Sequence, residues 1–176
     1  MNRLRAYRAI EGLNQDELGR ILEISPQMVS AIESGRRTFS GTLDAIGYSM
    51  ERLPLPTMSP PLHRHRASTT VTATNRANEL LRLAGEVFGA LRKQTERTPP
   101  LTLERFSVPA TRSELEEIAI EVRCALQHEE TGPIHNLTAA VEQAGVCLVP
   151  ITGLSGIDGL SSWVDGVPVI GVSPSI

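Results

Sequence analysis

The chain has 176 residues, 40% of them hydrophobic but only 3% aromatic, which allows one or two small domains with aliphatic cores. It contains no apolar run near the ~20 residues of a membrane span, and its first residues, MNRLRAYRAI, lack a signal-peptide pattern, so a cytoplasmic protein is expected. The net charge of −3 conceals an asymmetry: residues 1–100 hold 14 Lys and Arg against 10 Asp and Glu, while residues 101–176 hold 3 against 10, so a polyanionic partner belongs with the front half.

Arg3 to Glu11 predicts a first helix with Leu4, Tyr7 and Ile10 facing inward and Gly12 closing it. Asn14 to Arg37 then reads as two short helices about a tight corner. Asn14 is a good N-cap, with Glu17 three residues on as its capping-box partner, and Leu18, Ile21 and Leu22 form an apolar face at helical spacing. Glu23 and Ile24 interrupt that pattern. Ser25 and Pro26 open the second helix as cap and first helical residue, Val29 and Ile32 supply its buried side, and Gly35 ends it.

Gln27, Met28, Ser30 and Ala31 remain for the outer face of that second helix. Amide and short side chains at a helix N-terminus suit a reader of the DNA major groove. Arg36 and Arg37 follow, placed to reach backbone phosphates, and Gln15 at the start of the preceding helix is placed for another phosphate. With Ser25 at the cap, the candidate DNA-binding set is Gln15, Ser25, Gln27, Met28, Ser30, Arg36 and Arg37. On pattern alone, a plain helical hairpin with a polar outer face reads the same way.

The residues GLNQDELGRILEISPQMVSAIESGRR resemble the lambda-repressor-like helix-turn-helix of the XRE family. Gln15, Glu17 and Leu18, then Ile24 and Ser25, then Val29 and Ser30, then Ile32 to Gly35 carry the likeness, which implies a transcription regulator that binds operator DNA. One departure stands at the corner, where the family usually has Gly and this chain has Glu23. A left-handed backbone there is strained for Glu, so a local difference in the turn is expected.

A fourth helix is expected after Thr38-Phe39-Ser40, using Leu43, Ile46 and Met50, and the prolines of Leu53-Pro54-Leu55-Pro56 end the bundle. Pro61 to Thr74 reads as a solvated linker. Its His63-Arg64-His65-Arg66 run is alternatively a basic arm along DNA, and two histidines two residues apart make a poor metal site. Asn75 to Arg97 predicts a long helix with Leu80, Leu81, Leu83, Ala84, Val87, Phe88 and Leu91 on a broad apolar face, read as core or as a dimer interface, stopped by Thr98-Pro99-Pro100.

A second linker runs through Val108-Pro109. Thr111 with Glu114 is another capping box, opening a helix that uses Leu115, Ile118, Ala119, Val122 and Leu126, and the acidic cluster at its start suits the helix dipole. Asn136 caps a further helix from Leu137 to Gln143, Val146 to Ile151 forms a strand, and Leu160–Val164 and Val167–Val172 form a hairpin about Asp165-Gly166. Cys124 and Cys147 lack a CxxC spacing and read as reduced core residues in a cytoplasmic protein.

The stretches GPIHNLTAAVEQAGVCLVPI and GLSSWVDGVPVIGV look like the N-terminal portion of the ImmA/IrrE metallopeptidase domain, over roughly Thr111 to Pro174. In that family an HExxH zinc helix follows the hairpin. Here Ser173-Pro174-Ser175-Ile176 follow instead, and no HExxH occurs. His128-Glu129-Glu130 with His135 is a near miss whose Gly132-Pro133 keeps both imidazoles off one helical turn.

The expectation is an α+β protein: an all-α helix-turn-helix domain over residues 1–56, a linker and long connecting helix over 57–108, and a truncated ImmA/IrrE-like α+β domain over 109–176. Its expected function is that of a phage- or prophage-type repressor, not an enzyme, with no cofactor and no metal. Its back half would be a sensing or oligomerising module. The expected partners are double-stranded operator DNA, a second copy of the chain, and a protein partner or antirepressor at the C-terminal domain, with no membrane. The alternatives are the front piece of a longer regulator-metallopeptidase and an antitoxin-like protein. The dimer is expected on apolar surface of the sheet around Val169 and Ile170, left without the cover of a following helix.

Overall fold

The computed structural model describes residues 3–37, 55–65, 68–95, 106–152 and 156–174. Three short helices come first, α1 (Arg3–Glu11), α2 (Gln15–Ile21) and α3 (Pro26–Glu33). They enclose one aliphatic core of Leu4, Leu18, Leu22, Val29 and Ile32, with Tyr7, Leu13, Ile24 and Met28 packed around it. Ile21, expected on that face, is 41% exposed, while Leu18 and Leu22 on either side of it are buried. The expected fourth helix with Leu43, Ile46 and Met50, the Leu53-Pro54 stop, Arg66, Arg97 and the Thr98-Pro99-Pro100 stop lie outside the described residues.

The second half is a four-stranded sheet with one long helix across it. Strand β1 (Leu62–His65) and helix α4 (Val71–Thr95) precede α5 (Arg112–Ala125), α6 (Leu137–Gln143), β2 (Cys147–Pro150), β3 (Ile157–Val164) and β4 (Val167–Val172). The strand order is β1-β3-β4-β2, with β3 antiparallel to both β1 and β4 and β2 parallel to β4. The β3–β4 hairpin turns through Asp165 and Gly166, at φ 46° and 79°, the pair of positive values that a two-residue turn of this hand requires.

The run read as a linker from Pro61 to Thr74 is instead mostly structured. Leu62 to His65 add an edge strand to β3 through backbone hydrogen bonds, so the strand needs little apolar patterning of its own. Helix α4 begins at Val71, four residues before Asn75, because the Thr70 hydroxyl accepts from the Ala73 N–H at 3.1 Å and caps the first turn.

Alternation along the strands puts Cys147, Leu160, Val164, Val167 and Val169 on one sheet face, where Ala77 and Leu81 of α4 meet them, with Ala84 and Phe88 alongside. Of the apolar stripe expected on α4, Val87 and Leu91 are about half exposed. Gly85 sits where α4 crosses the hairpin: a Cβ there would meet Val164 Cβ at 2.5 Å. The other flank of α4 packs along α1, and Arg3 donates to both carboxylate oxygens of Glu86 at 2.5 and 3.2 Å.

Helix α5 begins as expected, Thr111 Oγ1 accepting from Glu114 N, while the Glu114 carboxylate reaches the N–H of Ala110. None of its residues is buried, and Leu115 and Ile120 are exposed, so the core face expected of α5 has no counterpart among the described residues. Among the described residues no helix is long and apolar enough to cross a membrane.

Candidate nucleic-acid interface

The α2–α3 corner is built by local hydrogen bonds. Asn14 Oδ1 accepts from Glu17 N at 2.9 Å, and Glu17 Oε2 accepts from Asn14 N at 2.7 Å, closing the capping box. At its other end α2 stops with Glu23 at φ 55°, the N–H of Glu23 donating to Arg20 O and that of Ile24 to Gly19 O. This is the paired closure usually made around a left-handed glycine. The turn therefore keeps its geometry with Glu in the glycine position, and the local difference expected there does not arise.

Gly19 has a role that helical periodicity in the sequence does not reveal. A Cβ on it would stand 2.7 Å from Ile24 O, so the corner folds down onto α2 only because the side chain is absent. Ser25 Oγ then accepts from Met28 N at 3.2 Å, Pro26 holds the first turn, and α3 starts in a fixed direction.

Helix α3 ends with the same closure: Gly35, at φ 73°, donates to Ile32 O, and Arg36 N donates to Ala31 O. That return brings Arg36 and Arg37 back along the exposed side of α3. Gln15, Gln27, Ser30, Arg36 and Arg37 thereby line one open groove of about 600 Å³, together with Pro26 and Ala31. Two candidates lie elsewhere. Ser25 serves as cap, and Met28 is half-buried against the three-helix core, with Arg37 Nη1 3.9 Å from its sulfur.

Among the described residues no carboxylate lines this groove, although Glu33 belongs to α3. Glu33 is turned inward, where Arg8 Nε and Nη2 donate to it at 2.6 and 3.1 Å and Gln15 Nε2 donates at 2.9 Å. Burial alone would raise its carboxyl, but the hydrogen bonds from Arg8 and Gln15 and the charges of Arg8 and Arg5 hold it below its ordinary value. The acid thus stays ionised inside, and the outer face is left with two exposed guanidiniums, amides and a hydroxyl. Such a surface meets phosphates with its cations and base edges with its amides.

The His63–Arg66 run, weighed as a basic arm, places His63 and Arg64 in β1, where His63 Nε2 is 2.7 Å from Asn78 Oδ1. Among the described residues no three His, Cys, Asp or Glu side chains cluster closely enough to hold a metal ion. Cys147 is buried, its thiol pushed up to about 11 by that burial, whereas Cys124 is exposed and not in a core.

Residues 4–43 match the family described as Helix-turn-helix, less than a quarter of the chain. No curated protein and no solved structure shows significant similarity to the chain. The N-terminal unit is a helix-turn-helix of the XRE kind, a DNA-binding unit of transcription regulators.

Proposed function

We propose that the protein is a sequence-specific repressor of the phage or prophage type, acting in the cytoplasm as a homodimer on paired half-sites. Supporting this reading above all is the groove beside α3 that gathers Gln15, Gln27, Ser30, Arg36 and Arg37, with no carboxylate among its described lining residues. In it Arg36 and Arg37 hold phosphates, Gln15 orients the helix pair on the backbone, and Gln27 and Ser30 reach base edges. The C-terminal region, read as ImmA/IrrE-like, serves as a non-catalytic sensing or oligomerising module.

Selection of bound DNA from a random pool tests this, with wild type and Gln27→Ala side by side. The expected result is a defined inverted-repeat motif that relaxes at one or two positions in Gln27→Ala, at about 1–3 kcal/mol for the lost base contact. No enrichment at moderate salt would overturn the reading, and a single asymmetric site would remove the dimer from it.

A further inference from the structure

Between the helix-turn-helix and the sheet domain lies a cavity of about 360 Å³, at the small end of the range that holds organic ligands. Helix α1 forms one wall and α4 another, and the segment from Met58 to Pro61 closes a third. Among the described residues Arg5, Arg8 and Arg82 line it against one carboxylate, Glu79. That carboxylate is buried and Arg82 Nη1 donates to it at 3.2 Å, while Arg8 is paired with Glu33 behind the wall, so three guanidiniums against two carboxylates leave this group of side chains one net positive charge. The amides of Asn75 and Asn78 supply hydrogen-bonding groups, and Met58, Pro60 and Leu13 an apolar flank.

One of these residues belongs to both sites. Arg8 lines the cavity and also grips Glu33, the carboxylate to which Gln15 of the DNA-facing groove donates. Its remaining nitrogen, Nη1, donates to Leu13 O at 3.1 Å. A negative charge arriving in the cavity competes with Glu33 for this guanidinium, and whatever Glu33 loses is felt by Gln15 and by the end of α3.

We propose that this cavity binds a small organic carboxylate, and that its occupancy weakens DNA binding by drawing Arg8 from Glu33. The coupling half of this proposal rests on the repressor reading above; the anion site does not.

The test uses the full chain with Cys124→Ser and Thr72→Cys, which sets an exposed thiol on the α4 wall while Cys147 stays buried and slow. Iodoacetate and iodoacetamide leave adducts of nearly equal size that differ in charge. We expect the ratio of the two alkylation rates at Thr72→Cys to exceed the ratio at Cys124 of the natural chain by about tenfold, since a cationic cavity concentrates the anionic reagent. A ratio no higher than at Cys124 would overturn the anion site.

Fluorescence anisotropy with the selected DNA then compares the two adducts. The carboxymethyl protein is expected to bind about tenfold more weakly than the carbamidomethyl protein. Equal affinities would overturn the coupling. If the unmodified protein bound no DNA, the repressor reading would fall, and the rate ratio would still judge the cavity. Asn75→Cys, one turn further along the same wall, repeats both measurements if Thr72→Cys does not fold.

Discussion

Glu33 receives two groups at once, the Arg8 guanidinium and the Gln15 amide, and its side chain is only 6% exposed. It therefore ties α1, α2 and α3 together at a point that the aliphatic core does not reach. Replacing it by Gln leaves the half-buried Arg8 charge without its carboxylate, and breaking a pair of this kind costs about 3 kcal/mol. Urea unfolding at neutral pH is expected to show that loss. The pH dependence has a definite sign. The folded carboxyl lies below its ordinary value of 4.5, so the unfolded chain takes up the proton first. Its contribution to stability is present above pH 4.5 and is lost as the pH falls through the lower folded value. Wild type should therefore lose stability in that acid range more steeply than Glu33→Gln, and parallel curves for the two proteins would refute the assignment.

At the scale of elements, α4 carries the most contacts of different kinds, since it packs on the sheet with one flank and on α1 with the other. Its close approach to the hairpin depends on Gly85. In an exposed helix interior, Gly→Ala stabilises by roughly 0.5–1 kcal/mol. Here the new methyl would meet Val164 at 2.5 Å, and Val164 is fully buried. The sign should reverse, with Gly85→Ala costing about 1–3 kcal/mol by overpacking. Thermal unfolding followed by circular dichroism checks this, and a rise in melting temperature would mean that α4 and the hairpin sit farther apart. The elements legible in the sequence were those whose ends are written in capping residues: Asn14 with Glu17, Ser25 with Pro26, Thr111, Asn136, and the Asp165-Gly166 turn. Strand β1 was not legible, because an edge strand held by backbone hydrogen bonds shows no apolar alternation, and Leu62 is 73% exposed. Nor was the inward turn of Met28, which depends on how α3 is rotated over the core. The groove was legible as a set of residues but not as a geometry. The sequence placed Arg36 and Arg37 after α3, and only the helix-ending closure at Gly35 turns them back beside Gln27.

For the molecule as a whole, the proposed dimer must come from a surface that the chain's own packing leaves open. One face of the sheet is covered by α4; on the other, register lines up Leu62, Ser161, Ile170 and Leu148 across all four strands, with Trp163 and Pro168 in the neighbouring row. Val169 and Ile170 are adjacent but opposite in this respect. Val169 is 1% exposed and points into the core, so a charge there would unfold the domain and say nothing about assembly. Ile170 lies on the outer face, where a charge disturbs a partner and spares the fold. In sedimentation equilibrium, wild type is expected as a dimer and Ile170→Asp as a folded monomer with an unchanged circular-dichroism spectrum and the lower melting temperature of an unassociated chain. The same substitution should leave binding to a single half-site intact while lowering affinity for the inverted repeat, because each subunit then pays the entropy of association alone. An Ile170→Asp protein that sediments as wild type does would remove the sheet from the interface and leave Val87 and Leu91, exposed apolar residues one turn apart on α4, as the surface to vary next.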